Sequence, residues 1–468
     1  MTTEQKNSTI MRSIASTTDG RSLPRSRIIL PGDAGYDAAR IVHNGVYDRR
    51  PALIVRAENS ADVIAAIQTA RDQGLPLAVR GGGHSFSGLG TVDDGLVIDL
   101  SHMKGLTIDP ERRVARAEPG LTWGEYAAQA QMYGLATSSG DTSSVGVGGL
   151  TLGGGIGWLA RKHGLTIDHL LAAEVVTADG RLLRVSEREN ADLFWAIRGG
   201  GGNFGVATAF EFRLHPVGTV LGGMVAYPGA DLKAVLRAWA AFMAEAPDEL
   251  TTTAWVMQAP PAPFIPTAWH GQLIVAIAVC YAGNLSIGEQ VLAPLRSLAS
   301  PVADLIGPMP YPEIFALTED VTALGREYDV RAGYLDRVDD GLLETIAAFG
   351  RTMTSPMSMV HIRALGGAMA RVPVEATAFA HRDKPFMVML ANIWWDSDAG
   401  PHRQWLDSFW RAVRPHTAGA YAGFLADEGD ARVAEAYPAA TYQRLAAEKR
   451  RYDPTNLFRF NQNIRPTP

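Results

Sequence analysis

The residues best suited to chemistry lie in one short loop, R-G-G-G-H-S-F-S-G, from Arg80 to Gly88. Three successive glycines leave backbone N–H groups uncovered and allow close approach to an anion or a planar ring. His84 follows them directly and adds a nucleophilic ring nitrogen to the same loop. A second glycine-dense stretch, S-S-G-D-T-S-S-V-G-V-G-G-L-T-L-G-G-G-I-G, runs from Ser138 to Gly157. A third, G-G-G-G-N-F-G-V, ends at Val206. Each alone reads equally well as a structural turn. Together they point to a large phosphate-bearing cofactor, with His84 as a point of attachment. The first two lack G-K-[ST] and so are not Walker A loops. Nor does either fit the single strand–turn–helix glycine pattern of a dinucleotide fold.

The elements around these loops place them at strand ends. Residues 51–56 read as a strand, and N-S-A-D-V-I-A-A-I-Q-T-A-R-D-Q-G as a helix. Ser60 is the expected N-cap, Val63, Ile64 and Ile67 the apolar stripe, and Gly74 the stop. P-L-A-V-R is a strand that runs straight into the triple glycine, a usual place for a ligand contact. G-L-V-I-D-L and R-V-A-R-A-E-P-G are further strands, and Thr122 to Met132 a helix. Asp179-Gly180 joins two strands as a hairpin. Val206, Thr208, Phe210 and Phe212 alternate along a strand that leaves the third cluster. Beyond Val217 the glycine density drops, and residues 218–417 alternate strands with long helices. M-S-M-V-H-I-R-A-L and F-M-V-M-L-A-N-I-W-W are two of these strands. Trp394 and Trp395 are consecutive, so at most one faces a pocket. The C-terminal region starts as a helix, stops at Pro454 and continues as an extended tail.

Composition narrows the class. The 468 residues are 47% hydrophobic and 20% charged, enough for two packed domains and too apolar for a disordered chain. Net charge is −6, with no basic stripe, which argues against nucleic acid as a partner. The single cysteine, Cys280, excludes a disulfide framework and a cysteine metal site, and its apolar run reads as a buried strand. No metal is expected. No apolar run is long enough for a membrane span, and the polar N-terminus lacks a signal-peptide core. The expectation is a cytoplasmic protein with loose first residues. Monomer and homo-oligomer both remain open.

Four separated motifs carry a more specific likeness. R-G-G-G-H-S at 80–85, V-G-V-G-G-L-T-L-G-G-G-I-G at 145–157 and W-A-I-R-G-G-G-G-N-F-G-V at 195–206 resemble the FAD-binding domain of the vanillyl-alcohol-oxidase (PCMH-type) superfamily. Y-D-P-T-N-L-F-R-F-N-Q-N-I at 452–464 narrows the likeness to berberine-bridge-enzyme-like flavin oxidases. This resemblance implies an α+β fold with four segments: an N-terminal extension (1–44), an FAD-binding domain (45–216), a substrate domain (217–417) and a C-terminal segment (418–468) returning to the FAD domain. The substrate domain should be an antiparallel sheet backed by helices.

The resemblance also implies roles. His84 would hold FAD through a covalent bond from a ring nitrogen to the 8α carbon. Backbone N–H groups of Gly81, Gly82, Gly83, His84 and Ser85 would hold the pyrophosphate, with Arg80 and Gly88 in the same loop. Gly146, Gly148, Gly149 and Gly153 would let the backbone approach the cofactor, joined by Gly140, Thr142 and Val145. Gly205 and Val206 would touch it from the third cluster, and Asn461, Asn463 and Tyr421 from the tail. Many members attach the flavin a second time through a cysteine. That position is Thr142 here, so no cysteinyl link is expected. Val145 goes with oxygen access in the family.

The base departs from the family. The usual Glu or Tyr falls at Arg363, with His361 on the same strand face. The usual second tyrosine of the tail motif is Phe424, and Gly423 replaces an Asn. Tyr421, His361 and Arg363 are the remaining catalytic candidates, Arg363 also as a substrate-binding cation. The expected activity is hydride transfer from a C–H next to N or O of a small molecule to FAD, then to O2. The alternatives are a dehydrogenase with another acceptor, a silent flavin protein, or a phosphate-ligand module without flavin.

Overall fold

The computed structural model describes residues 23–319, 324–395 and 398–467. The fold is α+β, as expected, and its two halves are built on different sheets.

The first sheet is small and mostly parallel. Strands β2 (Leu53–Arg56) and β3 (Leu77–Arg80) flank β4 (Leu96–Asp99) in parallel, and β1 (Ile28–Ile29) adds to β2 antiparallel. Residues 23–30, expected to be loose with the rest of the first thirty, are therefore packed. Leu23, Ile28 and Leu30 are buried in the core of this sheet, because isolated apolar side chains in a polar segment still find burial where a sheet edge is open. The helix that follows β2, Ser60–Asp72, is capped by Asn59 and not by Ser60. The Asn59 side chain accepts from the Asp62 backbone N–H, so the residue one earlier wins the cap. Gly74 ends the run with φ +61°, as read from the sequence.

A second sheet has the order β5-β6-β10-β8-β9 and is antiparallel throughout, built from Leu106–Asp109, Val114–Ala117, Val206–Arg213, Leu170–Val176 and Leu182–Ser186. The helix Trp123–Gln131 beside it opens with a reciprocal cap between Thr122 and Glu125. A two-residue pair, β7 (Leu135–Ala136) and β11 (His215–Pro216), closes this half.

The third sheet dominates the rest. Its path is β15-β12-β14-β13-β18-β19-β17, with β16 also on β12. The strands are β12 (Thr219–Pro228), β13 (Leu250–Gln258), β14 (Leu273–Tyr281), β15 (Ala303–Asp304), β16 (Gly307–Pro310), β17 (Glu327–Leu335), β18 (Met359–Ala364) and β19 (Phe386–Trp394). All pairings are antiparallel. One face packs on helices Leu232–Glu245, Asp340–Gly350 and Ala399–Val413, burying Trp239, Ile346 and Phe409 against Val225, Val275 and Val360. Each such side chain contributes about 1.5–3 kcal/mol when fully buried. With side chains alternating along each strand, the opposite face is left for something else. Cys280 is buried on β14, as expected for a packing residue.

Candidate active site

The three glycine clusters converge on one cavity of about 380 Å³. The first loop leaves β3 from a clamped end. Arg80 is buried, pairs with Asp99 at 2.8 Å and donates to the Ile41 carbonyl at 3.3 Å. Although Arg80 reaches the cavity wall, its guanidinium is committed to holding the strand end. Gly82 then meets the second cluster at Gly146. A Cβ on Gly82 would fall 2.4 Å from the Gly146 nitrogen, and a Cβ on Gly146 equally close to that of Gly82. Only glycine allows this crossing. At Gly149 and Gly202 the opposite holds: both line the cavity, and a Cβ there would meet no protein atom within 4 Å. Space is kept free along the glycine-lined wall, which suits a large group held by backbone.

His84 stands on this wall. Its ring stacks on His43, with centroids 3.4 Å apart, and Nε2 is buried without a partner. Burial first, then the neighbouring His43, pushes its pKa down to about 3, against a hydrogen bond to the Ser144 backbone. The ring is neutral at ordinary pH, and one nitrogen retains a lone pair. These residues fit the FAD anticipated from the sequence.

The opposite wall is the free face of the large sheet. Along β18, Val360 and Ile362 join the helix-packed core while Met359, His361 and Arg363 line the cavity. The register sets His361 beside Met389 and Met359 beside Ala391 on β19, and Ile393 beside Tyr328 on β17. Phe86 closes the wall from the first loop, edge-on to Tyr328 at 5.8 Å and 5.6 Å from Phe424. The surface offered to a substrate is therefore mainly aromatic and aliphatic.

The three catalytic candidates all reach the cavity, but each is already engaged. Arg363, itself buried, forms an ion pair with the partly exposed Asp141, lies 3.4 Å from the Ile156 carbonyl and sits 5.4 Å over the Phe424 ring. It is thus a matched charge and not a free cation. His361 packs on Trp255 and places Nε2 2.8 Å from the Met359 sulfur. Burial, helped by Arg363, pushes its pKa down to about 3. The Tyr421 hydroxyl accepts the Gly155 N–H at 3.1 Å, and burial pushes its pKa up to about 12 despite that bond and Arg363.

Of the cofactor candidates, Gly81, Gly83, Ser85, Gly140, Thr142, Val145, Gly148, Gly153, Gly205, Val206 and Asn461 also line the cavity. Thr142 hydrogen-bonds Thr318 at 3.1 Å, which closes the position between the two halves. Two candidates are displaced. Gly88 (φ +62°) turns the loop against the Tyr47 ring, 2.3 Å from where a Cβ would stand, and does not line the cavity. Asn463 lies beyond the wall, because the tail turns inward one residue earlier at Gln462. Neither tryptophan of the 394–395 pair faces the cavity. Trp394 is buried on His402 and donates to Glu327, and Trp395 is 66% exposed.

Sequence reasoning passed over Asn203, Asp141, Phe86, Tyr328 and Gln462. Asn203 had a signal, as the one amide inside the third glycine cluster. Phe86 and Tyr328 had none, since an aromatic in a loop or strand is ordinary core material.

A backbone cradle facing an apolar sheet, with a neutral histidine at the seam, defines a flavin-dependent oxidoreductase. A family model for an FAD-binding domain matches residues 51–186, and one described as berberine and berberine-like matches 420–465. The chain is 31% identical over 462 residues to (R)-6-hydroxynicotine oxidase of Paenarthrobacter nicotinovorans, covering 94% of this chain and 97% of that one. It is 29% identical to a xylooligosaccharide oxidase of Thermothelomyces thermophilus, over 89% and 87% of the two chains. The crystal structure of 6-hydroxy-D-nicotine oxidase from Arthrobacter nicotinovorans superposes with a TM-score of 0.87 at 30% identity, over 97% of this chain and all of that one. The chain belongs to the berberine-bridge-enzyme-like FAD-linked oxidoreductases. Among the described residues, no helix is long and apolar enough to cross a membrane.

Proposed function

We propose that the protein is an oxidase of small, largely apolar amines, with FAD held covalently by His84 and O2 as the electron acceptor. The observation that carries this reading is the substrate wall. It offers Tyr328, Met359, Met389, Ile393, Phe86 and Phe424, and the charges of Arg363 and Asp141 on it neutralise each other. A sugar would leave most of its hydroxyls unpaired against such a surface, at a cost for each.

When bound, FAD supplies the acceptor of two electrons and returns them to oxygen. The chain's own residues do the rest. Backbone amides of Gly81 to Ser85 would hold the FAD phosphates. His84 contributes a lone pair to the link. Such a link would replace one 8α hydrogen and the His84 N–H, a two-electron oxidation for which O2 would be the acceptor. The sheet face orients the substrate and excludes water. In turnover an amine loses a hydride from carbon and a proton from nitrogen, giving an imine, while O2 becomes H2O2. The nitrogen lone pair drives this loss, so the step does not need a strong base. This agrees with a His361 held neutral and a Tyr421 held protonated.

The test has two arms. The purified protein is denatured in acid and run on a gel under ultraviolet light. Fluorescence should stay with the polypeptide and vanish in His84→Ala. Peroxide release is then measured with a panel of aryl-substituted amines and a panel of oligosaccharides. Turnover of amines alone supports the reading, and turnover of oligosaccharides alone refutes the substrate class. Bleaching without peroxide would identify a dehydrogenase.

A further inference from the structure

Outside the cavity, the chain buries an ion pair completely. Lys449 and Asp453 are one helical turn apart at the end of helix Ala439–Tyr452, and both side chains are 0% exposed. Such a pair is costly to bury unless every polar atom is used. Here they are used. The Lys449 ammonium donates to Asp453 at 2.8 Å, to the Asn203 carbonyl at 2.7 Å and to the Phe458 carbonyl at 2.8 Å. Asp453 accepts from the Leu457 and Phe458 backbone N–H groups, both at 2.8 Å. One ammonium thereby ties three segments: the helix, the turn after Pro454 and the third glycine cluster.

Asn203 passes the constraint onward. Its side chain donates to the Gly200 carbonyl at 2.8 Å and the Gln462 carbonyl at 3.1 Å, and accepts from the Ile464 N–H at 2.9 Å. Gln462 in turn reaches Ser87 and the Leu425 carbonyl, each at 3.1 Å. Gly200, Asn203 and Gln462 all line the cavity, whereas Lys449 and Asp453 do not. A stability-only role would be served as well by two apolar side chains, since replacing buried pairs that way is often neutral or stabilising.

We propose that the Lys449–Asp453 pair is a positioning device for the flavin site, fixing Asn203 and through it Gln462 at the cavity wall. The inference rests on the cavity being the flavin site. Neither residue touches the reacting atoms; they act through the backbone they hold.

Three variants are compared with wild type: Lys449→Met, Lys449→Met with Asp453→Leu, and Asn203→Ala. Each is measured for melting temperature, flavin per polypeptide, the visible flavin absorption band and the flavin reduction potential. Lys449→Met should lose stability and flavin together, because Asp453 is left buried and unpaired. The double variant should recover melting temperature yet keep a shifted absorption band and potential. Asn203→Ala should show the same spectral shift with the ion pair intact. A stable double variant with wild-type band, potential and flavin content overturns the proposal. So does an Asn203→Ala protein with an unshifted band, whether or not the lysine variants fold. Wild-type protein that carries no flavin would refute the flavin reading instead, and the control alone reveals it.

Discussion

Tyr421→Phe removes one oxygen from the cavity wall, and the size of its effect separates two mechanisms. The hydroxyl accepts the Gly155 N–H, and the ring packs between Phe379 and Phe424 at 5.8 and 5.0 Å. Burial pushes the phenol up to about 12. At pH 7 that leaves roughly one phenolate in 10⁵, and forming it in place costs about 7 kcal/mol. Such a group makes a poor base. What it provides is a hydrogen bond, worth about 0.5–1.5 kcal/mol net. Transferred to the transition state, that is less than about tenfold in rate, whereas loss of a general base costs about 10²–10⁴-fold. The assay is anaerobic flavin reduction by stopped flow over a range of pH. Tyr421→Phe should slow reduction by less than about tenfold and leave the pH profile unchanged. A loss of about a thousandfold, with an ionisation missing from the profile, would refute the argument and make Tyr421 the base.

Gly149→Leu should fold and yet fail to take up flavin, since a Cβ at this position meets no protein atom within 4 Å and stands on the cavity wall; a variant with full flavin content would remove Gly149 from the site. Removing Arg363 or Asp141 alone should destabilise more than removing both, with a coupling of about 1–3 kcal/mol from Arg363→Met and Asp141→Asn in a double-mutant cycle. Additive losses would mean that the pair is screened. Acid should destabilise the fold, because His84, His163, His169 and His361 all have pKa values pushed from 6.5 to about 3, first by burial. Below pH 6.5 the unfolded chain takes up protons that the fold refuses until about 3, so stability is full above that window and declines as pH falls through it. Denaturant midpoints from pH 7 to pH 5 should show the decline, His169→Gln should reduce its slope, and a flat profile would contradict the burial of these rings.

The parts of the site that obey local rules were readable from the chain. Glycine clusters at strand ends announced the cradle, and the M-V-H-I-R alternation placed His361 and Arg363 on one face. What the alternation could not say was which face met the helices and which met the cavity. That depends on pairing with β19 and β17, whose register is set across long loops. Nor could it reveal that Arg363 meets Asp141, 222 residues away. Capping by Asn59 instead of Ser60 was a choice between two good caps one residue apart. The inclusion of Ile28 and Ile29 in the first sheet escaped notice because two residues carry no period. Lys449 is the clearest case. On a helix rich in Glu, Lys and Arg, nothing local separates a buried ammonium from its solvated neighbours.

The tail that completes the cavity has a consequence for how the enzyme is made. Gln462 holds Ser87 across 375 residues of chain. At about 5–20 residues per second, the ribosome takes roughly 20–75 s to pass from one to the other. Throughout that interval the first glycine loop exists without the tail that completes its cavity. If the tail is needed to retain FAD, cofactor capture is a late event in biogenesis, and a chain truncated before the tail should be nearly full length and colourless, which its visible absorption would check. Yellow colour from bound FAD would then double as a record that translation ran through the tail.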